Sequence, residues 1–361
     1  MANQNKVGTT DRPSAFDDLS KPSSNRIMTV ARAQREAVEW EMTHDERVFM
    51  LGEDVFGMGG VFGTADGLGA KFGPKRIVDM PISETGFIGM ATGAAIEGMR
   101  PIIELAYVDF IGVCYNAIVN FAAKTHYMSG GQLNVPMVLI TGTGGGYNNA
   151  AQHSQCLHAT FAHMPGVKVV CPSNAYDAKG MMHSAIRDDN FVVFLVHKGT
   201  AGVGWMGPTV KTTLAEVPTE DYTVPFGKVK IYRKGNDVTL VGLGMSVHQS
   251  LMAADELAKE GISAEVVDLR TLVPLDRDGL MESVAKTGRL VVSDEDYLSY
   301  GVSGEVIASI VERDPTVFKA PAQRVCVPDV PIPYSRSMEN HILPLAGRIA
   351  TAARKTMEKR R

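Results

Sequence analysis

The chain has 361 residues, of which 45% are hydrophobic and 21% charged, with a formal net charge of -4; these values sit near the globular average and predict two domains, each large enough for its own core. The slight negative charge gives no electrostatic basis for nucleic-acid binding, and no apolar run approaches the roughly 18 residues of a membrane span. Cys114, Cys156, Cys171 and Cys326 lie far apart with no CxxC pair, which reads as buried free thiols in a reducing, cytoplasmic setting.

Residues 1–26 are polar and rich in Ser, Asn, Asp and Pro. They lack a signal peptide's apolar core, and Asp11, Asp17 and Asp18 argue against a transit peptide, so a loose tail is expected. Thr29 is placed to cap a helix through Ala33, Ala37 and Trp40, and Val48-Phe49-Met50-Leu51 reads as the first strand. A glycine-rich loop at 57–73 leads to a short strand at 76–79. Directly after it, Glu84 stands at the head of a helix in which Gly86, Gly89 and Gly93 recur at three and four, so they share one face. Each glycine costs a helix interior roughly 1 kcal/mol relative to alanine. A bare face maintained at that cost implies close approach of another backbone.

Strand and helix then alternate. Strands are expected at 101–108, 136–141, 167–170 and 191–196, with helices at 115–127, 150–163 and 175–187. Such alternation predicts a parallel sheet with helices on both faces. Residues 204–226 carry Gly, Pro and Thr without periodicity and read as a linker between a domain at 27–203 and a second at 227–361. The second unit has expected strands at 238–241, 264–269 and 289–293 and helices at 246–259, 276–286 and 343–358. The fold class is therefore α/β, with two doubly wound domains and mainly parallel sheets.

Several motifs have both a chemical and a structural reading. Gly242-Leu243-Gly244 follows a strand and opens a helix, as a dinucleotide fingerprint does, with Asp268 as the candidate ribose carboxylate; Val247 takes the place of the third glycine. His153, His158 and His163 are spaced by five, which scatters them around a helix rather than gathering them on a metal. The 142–146 glycine loop offers backbone N–H groups to a phosphate but lacks the Lys-Ser/Thr of a P-loop. It also carries the chain toward His153 at a strand end, where α/β active sites collect. Asp294-Glu295-Asp296 reads as a solvated loop. Glu84 reads equally as a carboxylate stabilised by the helix dipole and as a catalytic group.

The run Glu84, four residues, Gly89-Met90, two residues, Gly93 resembles the pyrimidine-side motif of thiamine diphosphate enzymes. More closely, the chain resembles the beta subunit of the decarboxylating component of 2-oxo acid dehydrogenases, a group that includes pyruvate, branched-chain and acetoin enzymes. Leu51 to Val55, Pro81 to Glu84, Ala122-Ala123-Lys124, Gln152 to Gln155, Pro165 to Val170, Asp177 to Gly180, Ala185 to Asp188 and Asp268 to Thr271 carry that resemblance in unbroken order over about residues 27 to 350. The stretches 104–110 and 170–173 are closer to the acetoin enzymes than to the pyruvate enzymes.

The resemblance implies a transketolase-like pyrimidine-binding domain and a transketolase C-terminal domain. It implies that Glu84 exchanges a proton with the cofactor's pyrimidine ring, which then deprotonates the thiazolium carbon. Phe110 is expected to pack on that ring, with Ile82 and Gly89 beside it, and His153 to reach the reaction centre and handle substrate or the lipoyl arm. A potassium-like ion is implied at the backbone carbonyls of Met137, Ala185, Ile186, Asp188 and Asn190. The Gly-Asp-Gly that anchors Mg2+ and the diphosphate in this family is missing from the chain, so an alpha subunit is expected to supply it in an alpha2-beta2 heterotetramer. That assembly would act with a lipoyl acyltransferase. The chain departs from the family at Asn116-Ala117, usually Asp-Gln, at Val196 to Ala201, and in its basic end Lys359-Arg360-Arg361. A nicotinamide-binding oxidoreductase using Gly242 and Gly244, or a non-catalytic scaffold of the same fold, are the alternatives.

Overall fold

The computed structural model describes residues 26–202 and 210–358; most of the expected tail, part of the linker and the basic C-terminal end lie outside them. A seven-stranded sheet runs in the order Thr271–Val273, Lys168–Val170, Val192–His197, Val138–Thr143, Arg100–Tyr107, Val48–Gly52, Ile77–Asp79. All neighbours are parallel except Thr271–Val273, which pairs antiparallel with Lys168–Val170. Val138–Thr143 and Val192–His197 are buried along their whole length, as central strands covered on both faces must be.

Helices Val30–His44 and Ala175–Arg187 pack on one face, where Ala33, Val38, Met181 and Met182 meet Met50, Ile102, Ile140 and Phe194. Helix Glu84–Ile96 covers the other with Phe87, Ile88 and Ala91 against Ile103, Leu105 and Leu139. The segment expected as one helix at 115–127 is broken: Ile111–Asn116 is α-helical, Ala117–Ala122 widens to a π-helical turn, and Thr125–Met128 follows. In the widened turn the Ala123 N–H donates to the Ile118 carbonyl at 2.9 Å, a pattern that often sits beside functional sites.

The second sheet is five-stranded, in the order Gln323–Val327, Leu290–Tyr297, Val238–Gly242, Ala264–Asp268, Lys230–Arg233, with only the last strand antiparallel. Two doubly wound α/β units with mainly parallel sheets are thus present. Their cores are continuous: Leu139 and Val193 of the first belong to the same buried cluster as Val241, Val267 and Val292 of the second. Helices Val302–Val311 and Arg336–Ile342 and strand Gln323–Val327 had no counterpart in the sequence reading. Among the described residues no helix is long and apolar enough to cross a membrane.

Candidate active site

Glu84 is the first residue of the Glu84–Ile96 helix, capped by Ser83 without a side-chain hydrogen bond. It is only 7% exposed, and among the described residues its carboxylate has no hydrogen-bond partner. A buried carboxylate without a protein partner is costly unless a ligand completes it. Two neighbours register its charge. Burial pushes the Glu53 carboxyl upward and Glu84 adds to that push; burial likewise raises the Cys114 thiol to about 12, again with Glu84 contributing. One carboxylate oxygen of Glu53 is itself buried and unpaired. The sequence reading quoted Glu53 only as part of a matching segment and missed its place beside Glu84.

Around this carboxylate the surface is apolar and open. Ile82 is 85% exposed and Met90 46%. A Cβ added at Gly89 or Gly93 would meet nothing within 4 Å, so at these two positions the glycine face has no partner among the described residues. Thr85 Oγ1 donates to the Val113 carbonyl at 2.7 Å, tying the head of the glycine helix to the Ile111–Asn116 helix that follows Phe110.

His153 sits in irregular backbone rather than in the helix expected at 150–163, which shortens to His158–Ala162. Asn148 and Ala150 adopt left-handed φ values of 58° and 57°, a conformation that blocks helix propagation and is strained for alanine. The His153 ring packs edge-on against Tyr107 and Phe110, with centroids 4.8 and 5.5 Å away. Its carbonyl accepts from Lys198 Nζ. Burial depresses the Lys198 ammonium, partly opposed by Asp109 and Glu295. Asp109 accepts from the Gln155 N–H at 3.2 Å and from Gln155 Nε2 at 2.9 Å. Phe110 and His153 therefore share one cluster.

Two domain families match the chain. The transketolase pyrimidine-binding domain matches residues 27–202, and the transketolase C-terminal domain matches residues 227–349. The beta subunit of an acetoin:2,6-dichlorophenolindophenol oxidoreductase from Cupriavidus necator is 46% identical over 92% of this chain and 98% of its own length. The chain belongs to the transketolase-like beta subunits of acetoin and 2-oxo acid dehydrogenases. Within that family it is also 42% identical to the mitochondrial pyruvate dehydrogenase E1 beta subunit of Drosophila melanogaster, covering 95% and 93% of the two chains. The 2-oxoisovalerate dehydrogenase beta subunit of Bacillus subtilis is 40% identical, covering 92% and 99%. A solved split-gene transketolase, an inactive beta4 tetramer, superposes with a TM-score of 0.72 at 24% identity over 91% of this chain and 98% of that one, which supports the fold.

Against the family frame, three sequence readings need correction. The 142–146 loop does not present free amides to a phosphate. The Gly145 N–H donates to Glu295 Oε2 at 3.0 Å, and the Gly146 N–H to Glu339 Oε1 at 2.8 Å. Nor is Asp294-Glu295-Asp296 a solvated loop; it lies within strand Leu290–Tyr297 with Asp294 and Asp296 buried. Their partners explain the burial: His158 Nε2 lies 3.0 Å from Asp294 and 3.6 Å from Asp296, and His197 Nε2 lies 2.9 Å from Glu295. Burial works against the charge of Glu295, yet His197 and the Gly145 N–H hold its carboxyl below the usual range.

The dinucleotide reading fails on packing. A Cβ at Gly242 would fall 2.8 Å from the Ser246 backbone, and one at Gly244 3.2 Å from Cys171 Sγ, so this turn is closed by the chain itself. Asp268 accepts from Ser173 Oγ at 2.6 Å and from the Arg270 N–H at 2.8 Å, and burial raises its carboxyl to about 7. It is a structural acceptor. The three histidines also separate: His158 is buried with its aspartates, His163 is exposed, and His153 stacks on aromatic rings.

The carbonyls implied for a potassium-like ion lie around the C-terminus of the Ala175–Arg187 helix, the negative end of its dipole. Arg100 Nη1 donates to the Ile186 and Asp188 carbonyls at 2.9 and 3.0 Å, and the Val192 N–H donates to the Met137 carbonyl at 3.0 Å. Each carbonyl keeps a second lone pair, so an ion there would share ligands with a guanidinium. Asn190 donates through Nδ2 to Asp188 Oδ1 at 2.8 Å, and Lys168 also pairs with Asp188.

Proposed function

We propose that this chain is the beta subunit of a thiamine diphosphate-dependent dehydrogenase acting on acetoin or a small 2-oxo acid, passing the acyl group to lipoamide. The observation that carries the reading is the buried, unpartnered carboxylate of Glu84 at the head of a helix whose glycine face is open. Thiamine diphosphate, when bound, supplies the carbon nucleophile and electron sink for cleavage beside the carbonyl. Glu84 would hold and return a proton at the pyrimidine ring, Phe110 would pack on that ring, and Ile82 and Gly89 would line it. His153, held edge-on by Tyr107 and Phe110, would orient substrate or the arriving lipoyl arm. Substrate identity follows the relative of highest identity quoted above, which points first to acetoin.

The magnesium and diphosphate anchor would come from an alpha subunit in an alpha2-beta2 assembly, with a lipoyl acyltransferase as the further partner and the cytoplasm as the compartment. A potassium-like ion would sit among the carbonyls of Met137, Ala185, Ile186, Asp188 and Asn190, neighbouring Arg100. The domain limits that fit this reading are 27–203 and 227–361. Titration calorimetry is the test. The isolated chain should bind thiamine diphosphate and Mg2+ weakly, and adding the alpha subunit should restore tight binding and turnover together, at a mass near four chains. Tight, magnesium-dependent binding to the isolated chain would show that the site is complete here and end the shared-site reading.

A further inference from the structure

The loop carrying His153 is strained and spans two domains' worth of contacts. Gly144 and Gly146 have φ of 97° and 92°, and Asn148 and Ala150 have 58° and 57°. Non-glycine residues in this region persist only where the surroundings over-determine them. The surroundings here are two carboxylates from the second domain. Glu339, in the short helix Arg336–Ile342, is fully buried. Its two oxygens divide between two amides: Oε1 accepts from the Gly146 N–H at 2.8 Å and Oε2 from the Asn148 N–H at 3.1 Å. Glu295 accepts the adjoining Gly145 N–H at 3.0 Å. Three amides in four residues are thus fixed by side chains 150 or more positions away in sequence.

The fit around Glu339 is close. A Cβ added at Gly145 would meet Leu343 at 3.1 Å and Glu339 Oε1 at 3.3 Å, so the loop lies directly on this part of the second domain. At its far end the loop is held by Lys198 on the His153 carbonyl and by Asp109 on Gln155. Those contacts place the His153 backbone, and Tyr107 and Phe110 pack edge-on against its ring.

We propose that Glu339, with Glu295 beside it, is a positioning residue through which the second domain sets the 144–155 loop and thereby aims His153. The inference rests on the thiamine-dependent reading, because only there does His153 have a reaction to serve. Glu339 touches no reacting atom in this scheme; it acts through the amides of Gly146 and Asn148. The isosteric change Glu339→Gln is informative, since it turns one acceptor into a donor facing a backbone N–H. One bond is lost and a repulsive contact replaces it, while the volume of the buried side chain is kept.

The experiment uses the full chain assembled with its alpha subunit, comparing parent, E339Q, H153A and the double variant. Hydrogen exchange over 144–155 should quicken by about tenfold or more in E339Q, with the two sheets unchanged. Affinity for thiamine diphosphate should stay within about twofold, while kcat falls by about ten- to a hundredfold, the scale of a misplaced catalytic group. In the H153A background that kcat loss should vanish, because residues acting as one unit do not add. Unchanged loop exchange in E339Q would overturn the latch. An equal kcat loss with and without His153 would overturn its connection to His153. A parent assembly that binds no thiamine diphosphate would overturn the underlying reading and the catalytic half of this inference together, while the exchange readout would still decide the latch.

Discussion

Replacing Glu84 with Gln preserves the size of a buried side chain but removes the proton it would exchange. The assembled enzyme should lose on the order of 10²–10⁴ in turnover, with its fold and its cofactor content largely retained. Steady-state rates on cofactor-loaded samples check this, and a rate within about threefold of the parent would leave Glu84 only its favourable place at the positive end of the helix dipole. Glu84 was legible in the sequence because its signal is local: a strand, a carboxylate and a glycine-spaced helix in one short run. Phe110 and His153 needed the family resemblance, since an aromatic or a histidine after a strand end has many uses. Glu339 left no signal at all. Its function is to receive two backbone amides, and backbone donors far away in sequence are invisible to any pattern of residue types.

At the scale of elements, the glycine helix makes opposite demands on the free and assembled chain. Gly93 meets nothing within 4 Å of a built Cβ, so Gly93→Ala should stabilise the isolated subunit by about 1 kcal/mol through helix propensity. If the alpha subunit packs on that face, the same methyl group should weaken assembly. Thermal melts of the lone chain and sedimentation of the mixture read the two effects separately; a variant that melts higher and assembles as well as the parent would show that no backbone approaches there. Helix Ala175–Arg187 was readable because its start signal is local: Asn174 caps the run by accepting the Asp177 N–H. The 150–163 helix misled because its composition suits a helix, while Asn148 and Ala150 are left-handed and the Asn148 N–H is taken by Glu339 of the second domain. Strand Leu290–Tyr297 was read short for a related reason. Its acidic end looks like a surface until the histidines it meets across the domain boundary are known.

For the whole molecule, the buried contact of His158 with Asp294 and Asp296 joins the two domains. Burial opposes charge on His158, but the two aspartates outweigh it and raise the imidazole well above its ordinary 6.5. Asp296 itself is raised by burial to about 6, with His158 pulling the other way. The folded-state value of His158 being the higher one, its stabilising contribution is complete below the ordinary value and is lost as pH rises through the raised one. Thermal midpoints of the parent should therefore fall on the alkaline side of neutrality. His158→Ala, which strands two buried aspartates, should cost about 3–5 kcal/mol near neutral pH and flatten that alkaline decline. An alkaline profile identical to the parent's would remove His158 as its source.

The antiparallel strand Thr271–Val273 has a consequence for how the protein is made. Six of the seven strands in the first sheet have been synthesised once His197 is added, yet the Lys168–Val170 edge stays open until Val273 follows. An unpaired edge on a nascent chain is a template for pairing with its neighbours on the same message. The interval of translation between those two residues is then the time during which this subunit most needs a chaperone.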